Sequence, residues 1–325
     1  ELIQKGDDKI GLSVFDTTAG ERFEFTFNLV VLATGMKPSE SNIELKEKIG
    51  IPLNRNNFIE SHLQCFPQDT QRQGIFSAGA CRAPMDVSRS IESAGTAAVK
   101  AVQFFNSTVE ISSDFPSVNT LKCDVCKRCM EECPFKAFSF DEKGFPKADV
   151  LKCRSCGICM GSCPLTAISL GGLTIEQLAG MIDVIDKNFL GEDEPVVLGF
   201  LCKNDAYRAV DDAGMKGMGY PPNFLGIMLP CAGAVNGAVV AQAISSGFDG
   251  VLVAGCPERE CHYIQGSALA KTRLNDISEK LKEMYLEPER VRFVDISRDE
   301  SEKFISTVED FVKELRIMGK NPLRI

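Results

Sequence analysis

Twelve of the fourteen cysteines in this 325-residue chain fall into two patterns whose spacing suits metal chemistry. In the first, Cys123, Cys126, Cys129 and Cys133, followed by Pro134, recur thirty positions later as Cys153, Cys156, Cys159 and Cys163, followed by Pro164. The lysine ahead of the first cysteine repeats as well, as Lys122 and Lys152, which marks an internal duplication. Three thiolates on one tight loop can hold three irons of a cubane, and the fourth, carried away by the following turn, reaches the other cluster. The spacing predicts two [4Fe–4S] clusters. One uses Cys123, Cys126, Cys129 and Cys163; the other uses Cys153, Cys156, Cys159 and Cys133. Zinc is the rival reading, but tetrahedral zinc sites use separated ligand pairs rather than this doubled run. Such clusters pass single electrons and do no bond chemistry, so the segment reads as a wire.

The second pattern is positional. Cys202, Cys231 and Cys256 each follow directly on a predicted strand, and Cys261 lies five residues beyond Cys256 at the opening of the next helix. In a parallel sheet those strand ends share one edge, the edge at which open α/β folds bind ligands. Four thiolates converging there suit one [2Fe–2S] cluster. The alternative is that they are separate small core residues, since free cysteine is often buried. His262 is expected beside the site, at a helix start, rather than as a ligand.

The elements that must carry these residues divide the chain in three. Residues 1–110 read as the end of an α/β domain, with strands at Ile10 to Phe15 and Phe23 to Phe27 joined in a hairpin through Asp16 to Gly20. The apolar run Leu29 to Leu32 reads as a buried strand ending in Ala33, Thr34 and Gly35, and Gly74 to Ala80 as a second such run. Asp86 is a good N-cap for a helix over Val87 to Phe105. Ala33-Thr34-Gly35 and Gly79-Ala80 look like the late strand ends that flank a flavin in dinucleotide-binding oxidoreductases. The helix starting at Asp86 and Val87 would then point its N-terminus at the electron-rich pyrimidine edge of FAD. Ordinary strand-to-loop glycines are the alternative. No Gly-rich pyrophosphate fingerprint is present; it is expected upstream of Glu1. Residues 106–120 look like a linker, 115–172 like a ferredoxin module, and 173–325 like a sheet-and-helix alternation. That last part has strands at Val196 to Leu201, Leu225 to Leu229, Gly250 to Ala254 and Val291 to Val294, with helices near 233–246, 262–286 and 299–318.

Composition bounds the function. A formal charge of −9 and a pI near 5.0 leave no basic field for nucleic acid. No apolar run approaches the roughly 20 residues of a membrane-spanning helix. Cysteines kept for metals imply a reducing, cytoplasmic and oxygen-poor compartment. The chain opens on Glu1 in mid-pattern and its first methionine is Met36, so it reads as the C-terminal portion of a longer protein.

The order of the three parts resembles the heterodisulfide reductase A subunit fused to a methyl-viologen-reducing hydrogenase delta-type domain. The residues that carry the likeness are Cys126-Lys127-Arg128-Cys129, Glu131-Glu132-Cys133-Pro134, Pro230-Cys231-Ala232-Gly233, Gly250 to Cys256 and Glu260-Cys261-His262-Tyr263. Glu287 to Val291 and Gly319-Lys320-Asn321-Pro322 complete them. Within that family the chain looks most like the B subunit of the quinone-interacting membrane-bound oxidoreductase of sulfate reducers. The resemblance implies an α/β multidomain protein: the C-terminal part of an FAD-binding Rossmann-like domain, a 2×[4Fe–4S] ferredoxin-like α+β module and a C-terminal parallel-sheet α/β domain with the [2Fe–2S] cluster. It implies an electron-transfer subunit, whose partners are a related flavoprotein subunit and a membrane-bound quinone-reactive subunit, with no membrane span of its own. Two other readings stand beside it: a heterodisulfide reductase A-type subunit fed by hydrogenase or formate dehydrogenase, and a delta-type domain acting as a clusterless docking adaptor. Two departures from the family pattern matter. Asp205 stands where delta-type domains carry a second thiol, leaving the ligand open between Cys202 and Asp205. Met85 stands where heterodisulfide reductases carry a lysine near the flavin, which favours the quinone-linked relative.

Overall fold

The computed structural model describes residues 2–4, 9–49, 51, 53–54, 56–62, 66–70, 74–106, 114–185, 187, 189, 191, 194–257 and 260–324. The first part is an antiparallel meander of β1 (Leu2–Gln4), β2 (Ile10–Asp16) and β3 (Glu21–Phe27). Asp16 makes the expected hairpin turn, its carboxylate accepting from the backbone N–H of Thr18 at 2.8 Å and Ala19 at 3.1 Å. After α1 (Ser41–Ile49) and the short pair β4 (Ser61–His62) and β5 (Phe66–Thr70) comes α2 (Val87–Asn106). Asp86 caps it by accepting from the Arg89 N–H at 2.8 Å.

Leu29 to Leu32 is not a buried strand. Leu29, Val31 and Leu32 are exposed, and among the described residues no strand pairs with the run, so its backbone has no ladder to join. Gly74 to Ala80 likewise contributes, among the described residues, one bridge, Phe76 to Asp69, before a 3₁₀ turn at Gly79–Cys81. The expected linker also contains structure. Pro116–Val118 is β6, the first strand of the ferredoxin module.

That module runs through β6 (Pro116–Val118), α3 (Arg128–Glu131), β7 (Phe138–Phe140), β8 (Pro146–Ala148), α4 (Ile158–Ser162) and β9 (Ile168–Leu170). β6 pairs antiparallel with β9, and β7 with β8, so the two ends of the duplicated segment are tied together across the module. Then α5 (Ile175–Val184) starts on a reciprocal cap, the Thr174 hydroxyl accepting from the Gln177 N–H and the Gln177 side chain from the Thr174 N–H.

The last domain is a parallel sheet of β10 (Val197–Cys202), β11 (Phe224–Leu229), β12 (Gly250–Gly255) and β13 (Val291–Asp295), in the order β11-β10-β12-β13. The helices α6 (Ala206–Met215), α7 (Gly237–Ser245) and α8 (Gly266–Glu283) alternate with the strands, and α9 (Ser301–Met318) follows β13. Every residue of β10 and β12 is buried, as expected for central strands covered on both faces. The chain leaves β10 first to one side, for β11, and later to the other, for β12. The crevice between the carboxyl ends of β10 and β12 is therefore the switch point at which doubly wound sheets bind ligands.

At the opposite edge of this sheet the buried Asp249 carboxylate accepts from Arg324 at 2.6 Å, from the Val196 N–H at 2.9 Å and from the Asn321 N–H at 2.7 Å. Arg290, fully buried, donates to the Asp249 carbonyl at 3.0 Å. Arg290 and Asn321, two residues of the motifs quoted above, thus hold the sheet together far from the cysteines. Among the described residues no helix is long and apolar enough to cross a membrane.

Candidate metal centres

The duplicated cysteine loops share an unusual backbone. Positive φ occurs at Val125, Lys127 and Lys136 in the first copy and at Ser155, Gly157 and Thr166 in the second, the same three positions thirty residues apart. A β-branched residue such as Val125 at φ 58° carries real strain, which persists where the surroundings impose it. Left-handed residues between right-handed ones turn successive N–H groups inward, making a concavity suited to an anionic cluster.

The eight side chains fall into two groups. One small cavity is lined by Cys123, Cys126, Cys129 and Cys163. A second is lined by Cys153, Cys156, Cys159 and Cys133. Each loop thus closes its cavity with the fourth cysteine of the other copy. Burial pushes the Cys129 thiol up to about 11 and raises those of Cys153, Cys156 and Cys159. Without a cation these groups stay protonated at neutral pH; an iron centre makes them thiolates outright. The all-sulfur donor set and the concave backbone suit an iron–sulfur centre in each. The copies differ in access: Cys126 is exposed, whereas its counterpart Cys156 is buried.

In the last domain Cys202, Cys231, Cys256 and Cys261 are each no more than 3% exposed. Cys202 and Cys256, at the ends of the two strands that flank the switch point, have their sulfurs 3.4 Å apart, too far for a disulfide. Hydrogen bonds from Cys231 and Cys256 draw the Cys261 thiol below its ordinary range, and the one that Cys256 gives to Cys202 lowers Cys202 and raises Cys256. The four sulfurs thus form one chain of contacts, and all four cannot ionise together without a metal. Gly266, at the start of α8, makes room for them: a Cβ there would lie 2.2 Å from the Cys231 sulfur and 3.5 Å from that of Cys261. Cys261 itself sits in the loop ahead of α8, not in its first turn.

Asp205 stands at the border of the four-thiol site. Its buried carboxylate accepts from Arg298 Nε at 3.1 Å and lies 3.7 Å from His262 Nδ1. The His262 ring in turn stands 3.9 Å from the Cys256 sulfur. Asp205, Cys256 and His262 bring one ligand atom each within 4.8 Å of one another, so the carboxylate and imidazole border the thiol site on its Cys256 side.

The two metal-type regions abut. A Cβ at Gly157 would meet that of Ala234 at 2.7 Å, and one at Gly233 would meet Ile158 at 2.9 Å, so the Cys156-to-Cys159 loop rests on the turn after Cys231. The rings of Phe135 and Tyr263 meet edge-to-face with centroids 6.2 Å apart across the same boundary.

A family profile described as "Methyl-viologen-reducing hydrogenase, delta subunit" matches residues 197–319, and a "4Fe-4S binding domain" profile matches residues 116–139. The iron-sulfur D subunit of the F420-non-reducing hydrogenase of Archaeoglobus profundus is 36% identical over 128 residues, which are 39% of this chain and 93% of that protein. The chain belongs to the hydrogenase delta-subunit family. That membership covers the four-thiol domain, and a longer similarity runs through the rest. The Ferredoxin:CoB-CoM heterodisulfide reductase A subunit of Methanosarcina mazei is 36% identical over 321 residues, 98% of this chain and 40% of that protein. A counterpart from Methanosarcina acetivorans, the A subunit of a Ferredoxin/F(420)H(2)-dependent CoB-CoM heterodisulfide reductase, is 37% identical over the same length. The chain spans about 40% of the length of these heterodisulfide reductase relatives.

The segments expected to flank a flavin are less closely arranged. Ala33, Thr34 and Gly35 lie in an exposed loop; Gly79 and Ala80 lie in the 3₁₀ turn ahead of α2, with Asp86 and Val87 exposed at its start. The Gly79 N–H donates to Ser93 of α2 at 3.2 Å, which ties that turn to the helix. Sequence reasoning passed over Gly157, Gly266, Arg273 and Arg298, and took Gly233 only as part of a motif. For the glycines a signal existed, since each sits within five residues of a cysteine; for the two arginines there was none.

Proposed function

We propose that the chain is the iron–sulfur electron-transfer part of a heterodisulfide reductase A-type subunit, acting inside a multi-subunit redox complex. In this reading Cys123, Cys126, Cys129 and Cys163 hold one [4Fe–4S] cluster; Cys153, Cys156, Cys159 and Cys133 hold the second. Cys202, Cys231, Cys256 and Cys261 hold a [2Fe–2S] cluster at the switch point of the delta-type domain. The observation that carries the reading is the sorting of eight cysteines into two cavities, each closed by the other copy's fourth thiol. The clusters supply one-electron chemistry. The chain supplies thiols at fixed spacing, most of them buried, and a close-packed junction at the glycine contacts.

In this reading the domains are 1–110, 115–172 and 173–325. FAD belongs to this reading through the similarity to heterodisulfide reductase A subunits, with Ala33, Thr34, Gly35, Gly79, Ala80, Asp86 and Val87 on its border. The likeness to methanogen subunits over 98% of the chain favours this function over the quinone-linked one that Met85 suggests. Anaerobic reconstitution followed by iron and sulfide analysis is the test: about ten irons per chain are expected, from two cubanes and one two-iron cluster. About eight would support the clusterless docking role of the delta-type domain, and far fewer would refute the whole reading. The proteins that co-purify with the chain from its source decide between a heterodisulfide reductase and a membrane quinone-reactive partner.

A further inference from the structure

Arg273, on the inner face of α8, touches all three cysteine loops at once. Its Nη1 donates to the Gly233 carbonyl at 2.6 Å, two residues after Cys231. Its Nη2 donates to the Ser162 hydroxyl at 2.8 Å, one residue before Cys163, and to the Glu132 carboxylate, one residue before Cys133. Ser162 closes the triangle by donating to Glu132 at 2.6 Å. Cys133 and Cys163 are the two cysteines that cross between the ferredoxin cavities, so the guanidinium is braced against the backbone neighbours of both crossover positions and of the delta-type site.

The surroundings are built for it. The Arg273 side chain is only 15% exposed, and a Cβ at Gly161 would lie 2.3 Å from its Nη1, so glycine is needed there. Three further bonds run along the same seam, one from Gln265 to the Glu132 carbonyl at 2.9 Å and two from Asn236 to the carbonyls of Met160 and Cys163 at 2.8 and 2.9 Å. A flat fork with five N–H donors can serve three acceptors on three loops in one plane; an ammonium on a flexible stem cannot hold that geometry. A charge pair in so enclosed a place is costly to desolvate and adds little net stability, so its value lies in fixing geometry.

We propose that Arg273 is a positioning residue that sets the spacing between the ferredoxin clusters and the delta-type cluster. This rests on the cluster assignment given under the proposed function. Both are tested on the full chain, reconstituted anaerobically, as wild type, Arg273→Met, Arg273→Lys and Glu132→Gln. Iron and sulfide are counted, and spin–spin broadening between the delta-type and ferredoxin signals is read by paramagnetic resonance in the fully reduced state. The expected result for Arg273→Met is full iron with loss of that broadening, and Arg273→Lys fails to restore it. Full iron with unchanged broadening overturns the proposal. If Arg273→Met does not load iron, Glu132→Gln decides: full iron with weakened broadening supports the role, and unaltered broadening overturns it. A wild type that binds no iron overturns the cluster assignment, whereas a wild type with all clusters and no broadening overturns the role of Arg273 alone.

Discussion

Replacing Gly157 with alanine probes the contact between the ferredoxin module and the delta-type domain, and the duplication supplies its control. Gly157 and Lys127 hold the same place in the two copies, at φ 78° and 68°. A left-handed backbone costs a residue with a Cβ about 1–2 kcal/mol, which Lys127 already bears. At Gly157 the new Cβ must also find space 2.7 Å from that of Ala234 and 3.1 Å from Leu170, overpacking that costs about 1–3 kcal/mol. Gly157→Ala is therefore expected to destabilise by about 2–5 kcal/mol in total. Lys127→Ala leaves the backbone cost in place and removes only a cation 5.9 Å from the Phe140 ring, worth about 0.5–1 kcal/mol at an exposed site. Anaerobic urea unfolding of the iron-loaded protein, followed by circular dichroism and cluster absorbance, gives both midpoints. A loss for Gly157→Ala no larger than for Lys127→Ala would refute the close-packed junction.

Cys133→Ala is expected to abolish the cluster held by Cys153, Cys156 and Cys159 while leaving that of its sequence neighbours, as iron analysis with paramagnetic resonance will show; loss of the Cys123 set alone would remove the crossover. Cys202→Ser should change the delta-type spectrum as strongly as serine at Cys231, Cys256 or Cys261, whereas Asp205→Asn should keep a four-sulfur spectrum. The opposite pattern would make Asp205 the ligand. Asp249→Ala should cost about 3–5 kcal/mol, because it strands the Arg324 guanidinium in the interior, yet leave iron content unchanged at the far edge of the sheet. Thermal unfolding beside iron quantitation checks both halves of that statement.

The grouping of the cysteines in the candidate sites was legible because its logic is local or periodic. A loop of seven residues sets three ligands, and a parallel sheet puts three strand ends on one edge whatever the loops do. The four strands of the last domain fall within one or two residues of their expected bounds for the same reason: long apolar runs between polar segments have one way to be buried. What stayed hidden depends on distant contacts. Pro116–Val118 is a strand only because Ile168–Leu170, about fifty residues later, lies beside it. The pair β7 and β8 has three residues a side, too few for a period to register. Leu29 to Leu32 misled because apolar content signals burial only where a neighbouring sheet exists to receive it. Arg273 meets Glu132 across 141 positions, and no pattern in either segment announces the other.

The difference in access between Cys126 and Cys156 gives the duplicated module two unlike ends. Oxidants approach from solvent, and a thiolate's vulnerability follows its exposure. Air would therefore corrode the protein in a set order, starting at the open copy, while the copy pressed against the delta-type domain is shielded by its neighbour. On the proposed cluster assignment, tolerance of oxygen is expected to follow position rather than ligand type, since the two copies offer identical sulfurs.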